Sequence, residues 1–113
     1  MLIALIGILI GVIVGLYLPI TYSPSYSLYM SVAILACMDS VFGGLRATLE
    51  KKFNTGIFIS GFFGNAVLAA FLAYVGDKLG VPLYYAAIFA FGSRLFQNFA
   101  IIRRHFFNKN EEK

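Results

Sequence analysis

The chain has 113 residues, of which 60% are hydrophobic and only 12% charged, with a formal net charge of +4. A soluble domain carries charge on about 25% of its residues, and a mean hydropathy of +0.84 points the same way, so water is excluded as the main solvent of this surface. No charged side chain precedes Asp39, and a chain this short has no core able to bury so long an uncharged stretch. The length allows one domain, residues 1–113.

A helix needs about 20 apolar residues to cross the hydrocarbon core of a bilayer, and four segments qualify. The first runs from about Leu2 to Leu18 and stops at Pro19. It has no basic flank before it and no small-residue cleavage site after it, so it reads as a retained helix and not a signal peptide. The second runs from about 28 to 49, the third from about 56 to 75, and the fourth from about 83 to 102. The links at 19–27, 50–55 and 76–82 are punctuated by Pro, Gly, Ser, Thr and Asn, as loops require. A polar tail, 103–113, follows and is expected to fray. The expected fold is all-α: a polytopic membrane protein of four transmembrane helices in a compact bundle.

Two signals orient the spans. Arg46, Lys51 and Lys52 flank the second link, and Arg103, Arg104, Lys109 and Lys113 follow the fourth segment. These places are two spans apart, so they share a face, and the positive-inside rule puts that face and both termini in the cytoplasm. The seven tyrosines (17, 22, 26, 29, 74, 84 and 85) all fall near the opposite face, where an apolar ring with a wet hydroxyl is at home. The basic charge is explained by orientation and by anionic lipid heads, which leaves no case for nucleic acid.

Gly7, Gly11 and Gly15 form a small-xxx-small ladder on the first helix, a face that lets another helix approach closely. Gly43 and Gly44 offer a second close approach on the second helix. Whether the ladder packs within the chain or against another copy is not fixed by spacing. The lone cysteine, Cys37, can form no intrachain disulfide and reads as a small packing residue.

Asp39 lies near the middle of the second span, where a carboxylate costs about 2.5–3.5 kcal/mol on insertion scales. The second and fourth spans run in parallel, and Arg94 stands the same number of residues from the outer interface as Asp39. The two should therefore share a depth and pair, or join a cluster with Asn65. Gln97 and Asn98 continue the polar face of Arg94 at i+3 and i+4. Arg46 sits one turn from the cytoplasmic end, where it can snorkel, and it pairs in sequence with Glu50. Arg46, Lys51, Lys52, Arg103 and Arg104 read as interface anchors. His105 has no second ligand at metal spacing. No paired carboxylates, activated nucleophile or phosphate-cradling loop occurs, so the chain reads as no enzyme, with no cofactor and no metal.

The strings Leu35-Ala-Cys-Met-Asp39-Ser40-Val-Phe42-Gly43-Gly44-Leu-Arg46-Ala47-Thr-Leu49-Glu50-Lys51-Lys52-Phe53, Phe58-Ile-Ser-Gly-Phe-Phe-Gly-Asn65-Ala66 and Phe91-Gly92-Ser-Arg94-Leu-Phe96-Gln97-Asn98 resemble the bacterial small basic protein family. The likeness covers nearly the whole chain. It implies a short integral membrane protein of mostly Gram-positive bacteria, with genes near division and cell-wall genes, and it carries no catalytic residues.

The reading that follows is a non-catalytic subunit of the bacterial plasma membrane. It would interact with another membrane protein or a second copy, in a role linked to division or cell-wall machinery. The alternative is a small oligomeric transporter or ion channel using the mid-membrane polar cluster. Four short helices suit a small multidrug transporter or a fluoride-type channel, and Gly43-Gly44-Leu45-Arg46 resembles the latter, but the strong charge asymmetry argues against dual insertion.

Overall fold

The computed structural model describes residues 1–18 and 24–111. Pro19, Tyr22, Lys113 and the side chain of Lys109 lie outside what it describes. Among the described residues the chain is all helical: α1 (Leu2–Tyr17), α2 (Pro24–Leu49), α3 (Thr55–Leu79) and α4 (Tyr84–Glu111). Three helices are long and apolar enough to cross a membrane, over Tyr26–Leu49, Thr55–Leu79 and Tyr84–Asn108. At 1.5 Å per residue the 16 residues of α1 reach about 24 Å, slightly short of a hydrocarbon core of about 30 Å.

The helices outrun their apolar stretches. α2 opens four residues before the expected start, at Pro24, because proline lacks only an N–H that the first turn leaves unpaired anyway. α3 runs one turn past Val75, through Gly76, Asp77 and Lys78, and stops at Gly80 with φ 72, the left-handed conformation that glycine takes without Cβ strain. α4 does not fray at Arg103 but continues to Glu111, since no Gly or Pro follows Gly92 and leaving lipid does not break backbone hydrogen bonds.

The turn from α2 to α3 is a closed cap. Lys52 N–H donates to the Ala47 carbonyl at 2.8 Å and Lys51 N–H to the Thr48 carbonyl at 3.1 Å. Lys51 takes the left-handed position, φ 60, usually given to glycine; its charge is favourable beside the last carbonyls of α2. Asn54 then caps α3, its Oδ1 accepting from Ile57 N–H at 3.0 Å.

α2 is the central helix and packs along both α3 and α4, which share less contact with each other. The buried apolar core is Val32 and Ala36 of α2, Ala69 and Ala73 of α3, and Ala87 and Phe91 of α4. All six lie in the half of the bundle nearest the tyrosines. Alanine dominates because small side chains let helix backbones close up, the packing that apolar helices of membrane-spanning length favour. The α3–α4 connection is tighter still: Gly76 is buried, and a Cβ there would collide with the Val81 carbonyl oxygen and lie 2.9 Å from Leu83 N. Tyr29 Oη donates to Asp77 Oδ2 at 2.8 Å, tying α2 to α3 at the same end.

The packing is a bundle of three helices with α1 beside it, not a compact bundle of four. α1 has no buried residue. A Cβ at Gly7, Gly11 or Gly15 would meet nothing within 4 Å among the described residues. An apolar groove of about 360 Å³ separates Ala4, Gly7 and Ile8 from Phe58, Ile59, Phe62 and Phe63 of α3. A glycine ladder predicts a close approach but carries no information on its partner, and among the described residues no helix supplies one.

Candidate functional site

Below the alanine core the three helices part. One turn beyond Ala36, Asp39 is wholly buried, with 0% exposure. Arg94 of α4 brings Nη2 to 3.1 Å from Asp39 Oδ2. Neither carboxylate oxygen accepts a hydrogen bond of good geometry among the described residues, so the attraction is charge against charge, undirected by an N–H. The two ends differ in exposure: the Arg94 side chain is 56% exposed and the Asp39 side chain 0%. Arg94 also lies over the Phe91 ring, 5.9 Å from its centre, a cation–π contact.

Asn65 reaches this region from α3 but bonds elsewhere, its Nδ2 lying 3.5 Å from Ser40 Oγ, a long and weak contact. Asp39, Ser40, Asn65 and Arg94 line one cavity of about 200 Å³, which runs along Gly43, Gly44 and Ala47 to Lys52, Phe53 and Asn54 of the α2–α3 turn. That volume holds a handful of waters. The cavity thus joins mid-span charges to the basic end of the bundle, while the alanine core lies on its other side.

Arg46 bonds along its own helix and across to α4. Its Nε donates to Glu50 Oε1 at 2.9 Å and its Nη1 donates to Asn98 Oδ1 at 3.2 Å, so one guanidinium ties the end of α2 to α4. The bond from Arg46 holds the Glu50 carboxyl below its usual range. Asn98 is 8% exposed and lies against Gly43, where a Cβ would sit in ordinary contact 3.6 Å from Asn98 Nδ2. Gly44 faces the other way, where a Cβ would come within 2.9 Å of the Phe58 ring and 3.2 Å of Met1 Cε. Gln97 is exposed beside Arg94, and Lys51, Lys52, Arg103 and Arg104 are exposed at or beyond the basic end. Cys37 is a free, half-buried thiol. Among the described residues no three His, Cys, Asp or Glu side chains cluster as metal ligands would.

Sequence reasoning missed three features. The Arg46–Asn98 bond was not foreseen, although Arg46 sits at i+7 from Asp39 and Asn98 at i+4 from Arg94, the same two faces that bring the acid and base together. Lys52 was read as an anchor only, yet it lines the cavity. Arg104, His105 and Asn108 line a further crevice with Arg46 and Glu50, continuing the polar face of α4 into the tail.

These features define a class: a small all-α protein with several helices of membrane-spanning length and apolarity, and a charged pair between them. The chain belongs to the family described as "Protein of unknown function (DUF1290)", which matches residues 22–107. It is 47% identical over 104 residues to the "Small basic protein" of Bacillus subtilis, covering 92% of this chain and 86% of that one. It is 46% identical over 81 residues to uncharacterized proteins of Mycobacterium bovis and Mycobacterium tuberculosis, covering 70% of this chain and 67% of theirs. The resemblance to small basic proteins is therefore one of family. No solved structure matches.

Proposed function

We propose that the chain is a non-catalytic, four-span subunit of the bacterial plasma membrane, with both termini in the cytoplasm. It acts by binding another envelope protein or a second copy of itself, in a role linked to division or cell-wall assembly. The observation that carries this reading is α1. Its glycine face is open beside an apolar groove, while α2, α3 and α4 already satisfy one another. Apolar faces gain nothing by leaving lipid for protein; small residues that let backbones touch do.

A second reading, transport of a small ion or solute, draws on the cavity that holds Asp39, Asn65 and Arg94. Two things weigh against it. Asp39 and Arg94 offset each other's charge, and the core from Val32 to Phe91 lies between the cavity and the tyrosine-rich end.

Photocrosslinking in native membranes tests the interaction reading, and a heterologous partner in the adduct favours it over an oligomeric transporter. A probe replacing Val14, which flanks the glycine face, should give one adduct of defined mass. Gly11→Leu should reduce its yield several-fold, because the side chain pushes helices apart. Among the described residues nothing lies within 4 Å of a Cβ at Gly11, so detergent stability should be unaltered. Labelling of lipid alone would remove the interaction reading.

A further inference from the structure

The crevice between the lower halves of α2 and α4 is lined by Gly43, Arg46, Ala47, Glu50, Lys52, Arg94, Gln97 and Asn98, and encloses about 370 Å³. Its charges are unequally spent. Arg46 is bonded to Glu50 and Asn98. Arg94 leans one Nη on Asp39, which faces the neighbouring cavity and not this crevice. Lys52 Nζ makes no hydrogen bond and no close ion pair among the described residues, although its charge acts on Glu50, and the other donors of Arg94 bond nothing either. Two cations with donors to spare therefore line one polar crevice that reaches from mid-span to the α2–α3 turn.

We infer that this crevice binds a phosphate oxyanion, either the headgroup of an anionic phospholipid or free phosphate. Two like charges lining one crevice repel, and an anion seated between them relieves the repulsion. Phosphate suits this pair of donors: a guanidinium offers a planar fork to two oxygens, and an ammonium adds a compact point charge to a third. The Gln97 amide supplies a further neutral donor on the same lining. The crevice lies between two membrane-length helices and ends at a basic turn. A lipid would enter with its headgroup at Lys52 and its chains along the outside of α4, where Phe96 and Phe99 are exposed. The site is independent of the α1 interaction proposed above.

The test uses the full chain in a neutral detergent, with thermal unfolding as the readout. Dioleoylphosphatidylglycerol added to the micelles should raise the unfolding temperature by several degrees, as any ligand of the folded state does. Dioleoylphosphatidylcholine should raise it less. Lys52→Gln should abolish most of the shift and Lys52→Arg should restore it. Lys51→Gln makes the same charge change one residue away, at a side chain that does not line the crevice, and should keep the full shift. A Lys52-dependent shift with inorganic phosphate in the absence of lipid assigns the site to free phosphate instead. If neither probe gives a shift that depends on Lys52, or if Lys51→Gln and Lys52→Gln lose it equally, the site does not exist.

Discussion

Arg94→Gln should destabilise the protein by about 3–5 kcal/mol, the usual cost of leaving one member of a buried ion pair alone. Asp39→Asn should cost less, about 1 kcal/mol. The asymmetry comes from burial. Asp39 is 0% exposed and its oxygens accept no well-formed hydrogen bond, so without Arg94 its charge is stranded. Arg94 is 56% exposed on its side chain, so without Asp39 it still faces the polar crevice. The double variant Asp39→Asn/Arg94→Gln should resemble Asp39→Asn alone, because the stranded charge is then gone. Denaturant unfolding in mixed micelles measures all three. Equal costs for the single variants, or a double variant at the sum of both, would show that the two charges do not act on each other.

Gly76→Ala should cost at least about 1–3 kcal/mol, the range for forcing atoms into a filled site. The atoms in the way are backbone: the Val81 carbonyl oxygen and Leu83 N, the latter 2.9 Å from a Cβ. A side-chain end could swing aside, but here the α3–α4 connection itself must move. That also strains the 2.9 Å bond from Val81 N–H to the Gly76 carbonyl. Gly64→Ala is the matched control. Nothing lies within 4 Å of a Cβ there, so it should be neutral, or stabilising by up to about 1 kcal/mol through helix propensity. The difference between the two variants, read in one unfolding series, isolates the backbone contact from the intrinsic penalty of glycine.

The sequence made some of this legible and withheld the rest for physical reasons. Apolar runs of bilayer length announce helices, and turn residues announce the links between them, so the four elements could be read directly. Their ends could not, because hydropathy reports where apolar sequence stops and helices obey backbone hydrogen bonding: Gly76, Asp77 and Lys78 are small or charged and the stretch from Arg103 to Glu111 is mostly polar, yet both are helical. The nearness of Asp39 to Arg94 followed from depth, since parallel helices convert residue counts into height. Lateral packing has no such ruler. The ladder at Gly7, Gly11 and Gly15 looked like a packing face and meets nothing within the described chain. Arg46 looked like an interfacial anchor, but it also crosses to Asn98. A long side chain can turn along the membrane normal or across it, and spacing alone does not choose.

The whole account rests on the basic turn and the cavity behind it facing the cytoplasm, and accessibility measures this directly. In a Cys37→Ala background, Lys78→Cys should react with a membrane-impermeant maleimide applied to intact cells. Lys52→Cys should react only after the membrane is opened. Lys52 and Lys78 are both exposed and sit at opposite ends of α3, so burial cannot account for a difference. Labelling of Lys52→Cys from outside, with Lys78→Cys protected, would place the tyrosine-rich end in the cytoplasm and contradict the account.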